Sequence, residues 1–452
     1  EVFRHSDVRA LMTAYVTQKS LLGDDKESAD PVIHFYEDFL KEYDPVLRKK
    51  MGAYYTPLPV VRFIVRAVDA LLKKDFGLAK GLSDTTKNSD GLHRVQILDP
   101  ATGTGTFISA IIDKISREFE EQKQGGSWPA YVHHNLLPRL YGFELMMAPY
   151  TIAHLKITMK LLDTGFKYYN ETRDGKTRLR VYLTNSLEDS GKQPELLAFD
   201  FGANIAEEAK EAAKVKNEKP IMVVVGNPPY NVSSSNKGKW IQNLIEIYKA
   251  GLDEQNINSL SDDYVKFLRL ADYFIERNKK GIVAMITNNS FIDGIVHRQM
   301  RKHLLETFDE IYIFDLHGNA RKNEEKDENV FAIMQGVSIN IFVRKNENKT
   351  GLGSVYHAEL SGKRETKFER LNSSDISTVR WQKLECVPHY YFFVPKDFGA
   401  ENSYTKGFRI NDLFVNFGSG IKFRKDNLLI KKHFNRQSVE QLLKDINTLD
   451  NL

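Results

Sequence analysis

Residues 223–230 read Val-Val-Val-Gly-Asn-Pro-Pro-Tyr. Three β-branched residues run into Gly226, and a short apolar run of this kind predicts a buried strand. Proline donates nothing to a sheet ladder, so the strand has to end at Asn227. The product is a stiff loop at the carboxyl end of a buried strand, where open α/β sheets bind ligands. The loop has its own chemistry. The Asn227 side-chain carbonyl accepts hydrogen bonds, Pro228 has a carbonyl and no N–H, and Tyr230 beyond Pro229 offers a flat face. Two acceptors beside an aromatic platform suit a planar group bearing an NH2, whose lone pair is then free to attack an electrophile. The same stretch also fits a tight loop around a buried tyrosine. A second site, for the electrophile, decides between the two.

That site is expected at residues 95–107, VQILDPATGTGTF. Residues 95–98 predict another short apolar strand, ended by Asp99 and Pro100. Gly103 and Gly105 permit a tight turn, and residues 109–119 then show the apolar spacing of an amphipathic helix. Strand, glycine turn and helix form a general nucleotide-binding arrangement. No Gly-Lys-Ser or Gly-Lys-Thr follows, which excludes a P-loop, and the third glycine of the dinucleotide fingerprint is missing. Residues 139–143 (RLYGF) predict a third strand ending at Glu144. An acidic residue at the end of the next strand commonly accepts hydrogen bonds from ribose hydroxyls; a carboxylate favoured by a helix dipole is the plainer reading. Residues 179–183 (LRVYL) predict a fourth strand, leading to Asn185-Ser186-Leu187.

Taken together, GAYYTP (Gly52–Pro57), DPATGTGTF (Asp99–Phe107), FE (Phe143-Glu144), TNSL (Thr184–Leu187) and NPPY (Asn227–Tyr230) fall in a telling order. The chain resembles the S-adenosylmethionine-dependent amino-methyltransferases that act on adenine N6 in DNA, in the order of their γ group. The wording of DPVLRKKMGAYYTPLPVV, FDEIYIFDLHGNAR and NVFAIMQGVSINIF is similar to the methyltransferase part of single-polypeptide, Type I-like (Type ISP) restriction-modification enzymes. The similarity covers roughly residues 30–350. It implies a Rossmann-like α/β methyltransferase fold, a mixed seven-stranded sheet with helices on both faces. It implies S-adenosyl-L-methionine as cofactor, held by Tyr54, Tyr55, Thr56, Pro57, Asp99, Pro100, Ala101, Thr102, Gly103, Gly105, Phe107, Glu144, Asn185, Ser186 and Leu187. Asn185 stands where the family often has Asp against the cofactor's adenine amine. The resemblance also implies that Asn227, Pro228, Pro229 and Tyr230 are catalytic, that Tyr230 and Phe331 sandwich an extruded base, and that double-stranded DNA is the partner. Packing in the core is the plainer reading of Phe331.

Composition sets outer bounds. At 452 residues the chain has room for two or three domains. Hydrophobic residues make up 41%, as in globular proteins, and no apolar run reaches the length of a membrane span. One cysteine excludes a disulfide framework and fits a prokaryotic cytoplasm. That cysteine, Cys386, lies outside the motifs, which argues against methylation at a cytosine ring carbon, a reaction that needs a thiolate. The net charge of +4 permits a nucleic-acid partner without demanding one. His133 and His134 have no further ligand at metal spacing, so no metal is expected. The chain begins at Glu1, which reads as a piece or a processed form. No phosphate-binding lysine loop occurs, so a motor or nuclease is expected only in other regions of a full-length protein.

The rest of the chain is organised around the motifs. Residues 1–50 read as helices (8–22 and 31–47) covering the domain. A helix is expected at 60–72, a surface loop at 80–94, a charged solvated helix at 207–219 and a polar, mobile loop at 231–239. Further strands are expected at 281–287, within 308–316 and at 337–344. A polar, glycine-bearing stretch at 346–353 marks the boundary of the methyltransferase domain (51–348). Beyond it, residues 349–452 read as a partial α+β target-recognition domain, with strands at 389–394 and 410–417. Lys422, Arg424, Lys425, Lys431, Lys432 and Arg436 cluster there, a basic surface suited to phosphate contacts. The alternatives are methylation of cytosine N4, RNA or protein glutamine, or a non-catalytic DNA-binding fragment.

Overall fold

A computed structural model of the protein describes residues 56–166, 178–189, 200–254, 256–320 and 327–399, with a few positions beyond 405. The helices expected before residue 50, Tyr54, Tyr55 and the basic cluster at 422–436 lie outside the described residues. The chain divides into two compact units, Glu1–Pro395 and Lys396–Leu452.

In the first unit the strands are β1 (Ile97–Asp99), β2 (Leu140–Glu144), β3 (Arg180–Leu183), β4 (Val223–Gly226), β5 (Gly281–Asn288), β6 (Glu310–Asp315), β7 (Val337–Arg344), β8 (Ser354–Glu359) and β9 (Gln382–Leu384). They form one sheet in the order β3-β2-β1-β4-β5-β7-β6-β8-β9. The first five strands of that order run parallel. β7 inserts antiparallel between β5 and β6. Strand order reverses between β1 and β4, and their carboxyl ends form the switch point of the sheet.

Helices α1 (Leu58–Phe76), α2 (Thr106–Glu121), α3 (Met147–Asp163), α4 (Asp200–Glu218), α5 (Lys239–Lys249), α6 (Asp263–Asn278), α7 (Arg298–Thr307) and α8 (Arg364–Ser373) surround the sheet. Alternate strand residues serve opposite faces. Ile97, Val223, Val225, Ile282, Ala284 and Ile286 enter one core with Val60, Ile64, Ile108 and Ile157. Leu98, Val224, Val283 and Met285 enter another with Ala212, Ile241, Phe267 and Leu304. With both faces covered, β4 and β5 are buried along their whole length. That is why the runs VVV and GIVAMIT are continuous rather than alternating.

The structure corrects several expectations. The sheet has nine strands rather than seven, because β8 pairs parallel with β6 and β9 pairs with β8. The first unit therefore runs past the boundary expected at 348/349. Residues 389–394 are no strand. His389 and Tyr391 have positive φ, and the buried Arg301 guanidinium gathers the carbonyls of Tyr390 and Tyr391 into a turn. In the second unit Ile410–Leu413 is one helical turn, not the start of a strand. Residues 80–94 are only partly surface: Leu82, Ser83 and Asp84 are buried, with Leu82 fixed by Asp69 and Arg139. The helix expected to be solvated, α4, buries Ala212, Val215 and even Lys216. Among the described residues no helix is long and apolar enough to cross a membrane.

Candidate active site

The site grows from the carboxyl ends of β1, β2, β3 and β4. After β1, Asp99 turns the chain: its Oδ1 accepts from Ala101 N at 3.1 Å and its carbonyl from Thr102 Oγ1 at 3.0 Å. Thr102 N donates to Phe143 O on β2. Gly103 and Gly105 adopt φ of 56° and 79°, a region that L side chains rarely occupy. At Gly105 a Cβ would also press on Ile157 and Ala153 of α3. Helix α2 opens directly from this turn, and Phe107 in its first turn is buried in the core.

Glu144 closes the turn from β2. Its Oε2 accepts from Gly103 N and its Oε1 from Met146 N, both at 2.8 Å. Burial pushes the Glu144 carboxyl up to about 7, against the lowering effect of these N–H groups. Burial, opposed by the Ala101 N–H and reinforced by the Glu144 charge, pushes Asp99 up to about 8. Asp99 Oδ2 is buried without a protein partner. Asp99 Oδ2, buried beside the Glu144 carboxyl, is the atom that a hydroxyl or amine donor would relieve.

The segment after β3 lies alongside. Ser186 Oγ donates to Pro100 O at 2.5 Å, and Asn185 Oδ1 accepts from Leu187 N at 3.0 Å. Leu187 is itself buried. From α4 the Lys216 ammonium donates to Asn185 O and Glu188 O at 2.7 and 3.1 Å and lies over the Phe143 ring. Burial lowers its pKa to about 8. Nothing in the charged run 207–219 marked this lysine, although Ala212 and Val215 sit at the spacing of a buried face.

Across the switch point stands the loop after β4. Gly226 passes so close to β1 that a Cβ there would lie 3.0 Å from Asp99 Oδ1, so the two loops share an edge. Asn227 is held at both ends of its carboxamide. Its Nδ2 donates to Thr56 Oγ1 at 3.0 Å, and its Oδ1 accepts from the Tyr230 hydroxyl at 2.8 Å. The Tyr230 hydroxyl also lies 3.3 Å from Ile286 O on β5. Tyr230 meets Tyr264 edge to face, with ring centroids 6.3 Å apart, and burial raises its pKa. Pro228 is buried and Pro229 half-buried.

The loop expected to be mobile at 231–239 is tied down by the start of α6, and its last residue, Lys239, opens α5. Asn231 N donates to Asp262 Oδ1 at 2.7 Å. Ser234 Oγ and Asn236 Nδ2 both donate to Asp263 Oδ1, and the buried Lys266 ammonium donates to Ser234 Oγ and Asn236 O. Asn236 Oδ1 in turn accepts from Asn185 Nδ2 at 3.1 Å, linking the loop after β4 to the segment after β3. Sequence reading missed Asp262, Asp263, Lys266 and Asn236, whose partners lie far along the chain. Phe331 is buried in the core cluster against which Tyr230 packs, and its backbone N–H donates to Asn329 Oδ1. Cys386 is part-buried, with its thiol pushed up to about 11 by burial.

Among the described residues one group has the composition of a metal site. Asp272, Glu276 and His303 bring ligand atoms within 4.8 Å of one another. Arg269, however, already bridges both carboxylates, at 2.8 and 2.7 Å. Those carboxylates hold His303 protonated, its pKa raised to about 9 despite burial. Two cations balance two anions, and the quartet reads as a structural lock between α6 and α7.

The family model described as N-6 DNA Methylase matches residues 27–380. Among solved structures, the chain is similar to DrdV in a complex with DNA, at 29% identity and TM-score 0.63, over 81% of this chain and 33% of that one. It is similar to LlaBIII, an ATP-dependent Type ISP restriction-modification enzyme bound to DNA, at 27% identity and TM-score 0.66, over 80% of this chain and 23% of that one. It is similar to a nuclease-deletion mutant of the Type ISP enzyme LlaGI with a DNA substrate mimic, at 25% identity and TM-score 0.64, over 84% and 30%. The chain thus spans a third or less of these structures. A search of curated proteins finds no match.

Proposed function

The chain belongs to the N-6 DNA methylase family, and on that premise we propose that it is a DNA methyltransferase transferring a methyl group to the N6 amine of a target adenine. The observation that carries the reading is the shared edge at the switch point. The amine-accepting Asn-Pro-Pro-Tyr loop leaves β4 where Gly226 touches Asp99 of the glycine turn. Acceptor and electrophile sites therefore adjoin.

S-adenosyl-L-methionine fits the residues on the glycine-turn side. Asp99 Oδ2 is buried without a protein donor, which a ribose hydroxyl or an amino group of the cofactor would supply beside the buried Glu144 carboxyl, and Ser186, Leu187 and Asn185 shape the adjoining wall. When bound, this cofactor supplies an electrophilic methyl group on a sulfonium. The chain's own residues do the rest. A paired adenine hides its amine, so the base has to leave the duplex. Asn227 Oδ1 and the Pro228 carbonyl accept the two amine hydrogens and orient the nitrogen lone pair. Tyr230 supplies a ring face, and we assign Phe331 the opposite face, supported by its place in the cluster that Tyr230 packs against. No covalent enzyme intermediate is required, because the exocyclic amine is itself the nucleophile.

We further place this chain beside motor and nuclease regions in a restriction-modification enzyme. The DNA-bound LlaBIII and LlaGI support this, since the chain matches only part of each. The second unit, Lys396–Leu452, would contribute to target recognition. The test is incubation with labelled S-adenosylmethionine and unmethylated genomic DNA, followed by digestion to nucleosides and mass spectrometry. Labelled N6-methyladenine is expected. Labelled N4-methylcytosine would overturn the base, and label in RNA or protein but not DNA would overturn the substrate.

A further inference from the structure

We propose that Thr56 is a positioning residue for the Asn227 carboxamide, acting on the rate of methyl transfer rather than on cofactor affinity. This rests on the proposed role of Asn227 as amine acceptor.

A carboxamide offers an acceptor at one end and a donor at the other. Only the oxygen end can receive an incoming NH2, and the terminal torsion of Asn is broad, so the protein has to fix it. Two contacts do so. Thr56 Oγ1 takes the nitrogen end at 3.0 Å from a position 171 residues earlier in the chain. The Tyr230 hydroxyl meets the oxygen end at 2.8 Å. The tyrosine alone is an incomplete guide, because its single proton is also within reach of the Ile286 carbonyl at 3.3 Å. Turned that way, its oxygen would welcome the Asn227 NH2 instead. In this structure Thr56 Oγ1 accepts from the nitrogen end, which leaves the oxygen toward Tyr230.

The carrier of Thr56 is rigid enough for the task. The residue is 7% exposed. Pro57 follows it, and the Pro57 carbonyl accepts from Val60 N and Val61 N at the start of α1. That helix buries Val60, Val61, Phe63 and Ile64 in the first turns. A hydroxyl mounted on such a base keeps its place without help from a ligand.

The test compares Thr56→Val, which keeps shape and loses the hydroxyl, with Thr56→Ser, which keeps the hydroxyl. Single-turnover methyl transfer to DNA and calorimetric cofactor binding are both measured. Thr56→Val should slow transfer by about tenfold to a hundredfold, the scale of a misplaced reacting group, with the cofactor Kd moving less than about threefold. Thr56→Ser should restore the rate. A parallel loss of cofactor affinity would make Thr56 a cofactor ligand and overturn the proposal, as would an unchanged rate. Asn227→Ala separates the two readings: if that variant transfers normally, the role of Asn227 fails first, and if it is inactive while Thr56→Val is not, only the proposal fails. A second readout needs no activity. In protein labelled with 15N-asparagine, the Asn227 side-chain NH2 pair, identified by its loss in Asn227→Ala, should shift in Thr56→Val and return in Thr56→Ser. An unmoved pair would overturn the proposal.

Discussion

After β1 the chain turns through two glycines and leaves Asp99 Oδ2 buried without a protein partner, beside a Glu144 carboxyl pushed up to about 7. After β4 the arrangement is the reverse: Asn227 and Tyr230 satisfy one another, Thr56 and Ile286 take their remaining reach, and buried acids at the start of α6 tie down the following loop. The first loop carries electrostatic cost that a ligand relieves. The second is already satisfied, and a substrate has to share or displace what is there. From this difference, changes at the glycine turn should act on cofactor affinity and changes at the Asn-Pro-Pro-Tyr loop on rate.

Asn227→Ala is the strongest attempt to break that division. Removing the group proposed to bind the reacting amine should cut single-turnover transfer by about a hundredfold or more, while cofactor Kd stays within about threefold. Equal losses in both would end the separation.

Glu144 tests the other side through pH. Hydroxyl donors favour the ionised carboxylate, so cofactor affinity should fall as pH is lowered through about 7, by at most about tenfold per pH unit. The stability of the cofactor-free protein runs the other way. A carboxyl whose folded pKa is raised stabilises the fold most below its ordinary value near 4.5 and loses that contribution as pH rises through about 7. Glu144→Gln should weaken cofactor binding and remove the acid limb of the affinity profile, with maximal transfer at saturating cofactor retained. A profile that keeps the limb would move the assignment away from Glu144.

Tyr230→Phe sharpens the comparison from within the second loop. The ring stays and one hydroxyl goes, freeing both Asn227 Oδ1 and Ile286 O. Transfer should slow by about threefold to tenfold, the worth of one such hydrogen bond, with no change in cofactor binding. Tyr230→Ala should cost more, because the stacking face is lost as well. Equal rates in the two variants would mean that the ring contributes nothing.

Both loops were legible in the sequence because each is local: a β-branched run ended by prolines, or a strand ended by Asp-Pro and two glycines. Strand β7 was likewise legible over its whole extent, since VSINIFVR is a long β-rich run. What was not legible depends on distance along the chain. Strand β8 follows a polar, glycine-bearing stretch that reads as a boundary, and only pairing with β6 makes it part of the sheet. The turn at Tyr390 exists because Arg301 reaches it from α7. Lys216 looks like one more cation on a charged helix, yet the carbonyls of Asn185 and Glu188 receive its ammonium inside the protein. Thr56 read as part of a cofactor segment, and its hydrogen bond to Asn227 has no trace in either motif.

Asn236 is the finest probe, because it touches both sides. Its Oδ1 accepts from Asn185 Nδ2 at 3.1 Å, and its Nδ2 donates to Asp263 Oδ1 at 3.0 Å. In Asn236→Ala both side-chain bonds are lost. The backbone bonds to Ser234 Oγ and Lys266 remain, so the loop keeps its anchor on α6. Each lost bond is part-buried and contributes about 1 kcal/mol. If the two regions are coupled through this residue, cofactor affinity and transfer rate should each fall by about twofold to fivefold, a joint effect that neither Glu144→Gln nor Asn227→Ala should produce. Calorimetry and single-turnover transfer on the same preparation measure both. An effect confined to affinity would leave the loop after β4 independent of the cofactor segment. A loss in affinity as large as that of Glu144→Gln would mean that the two loops form one site rather than two that share an edge.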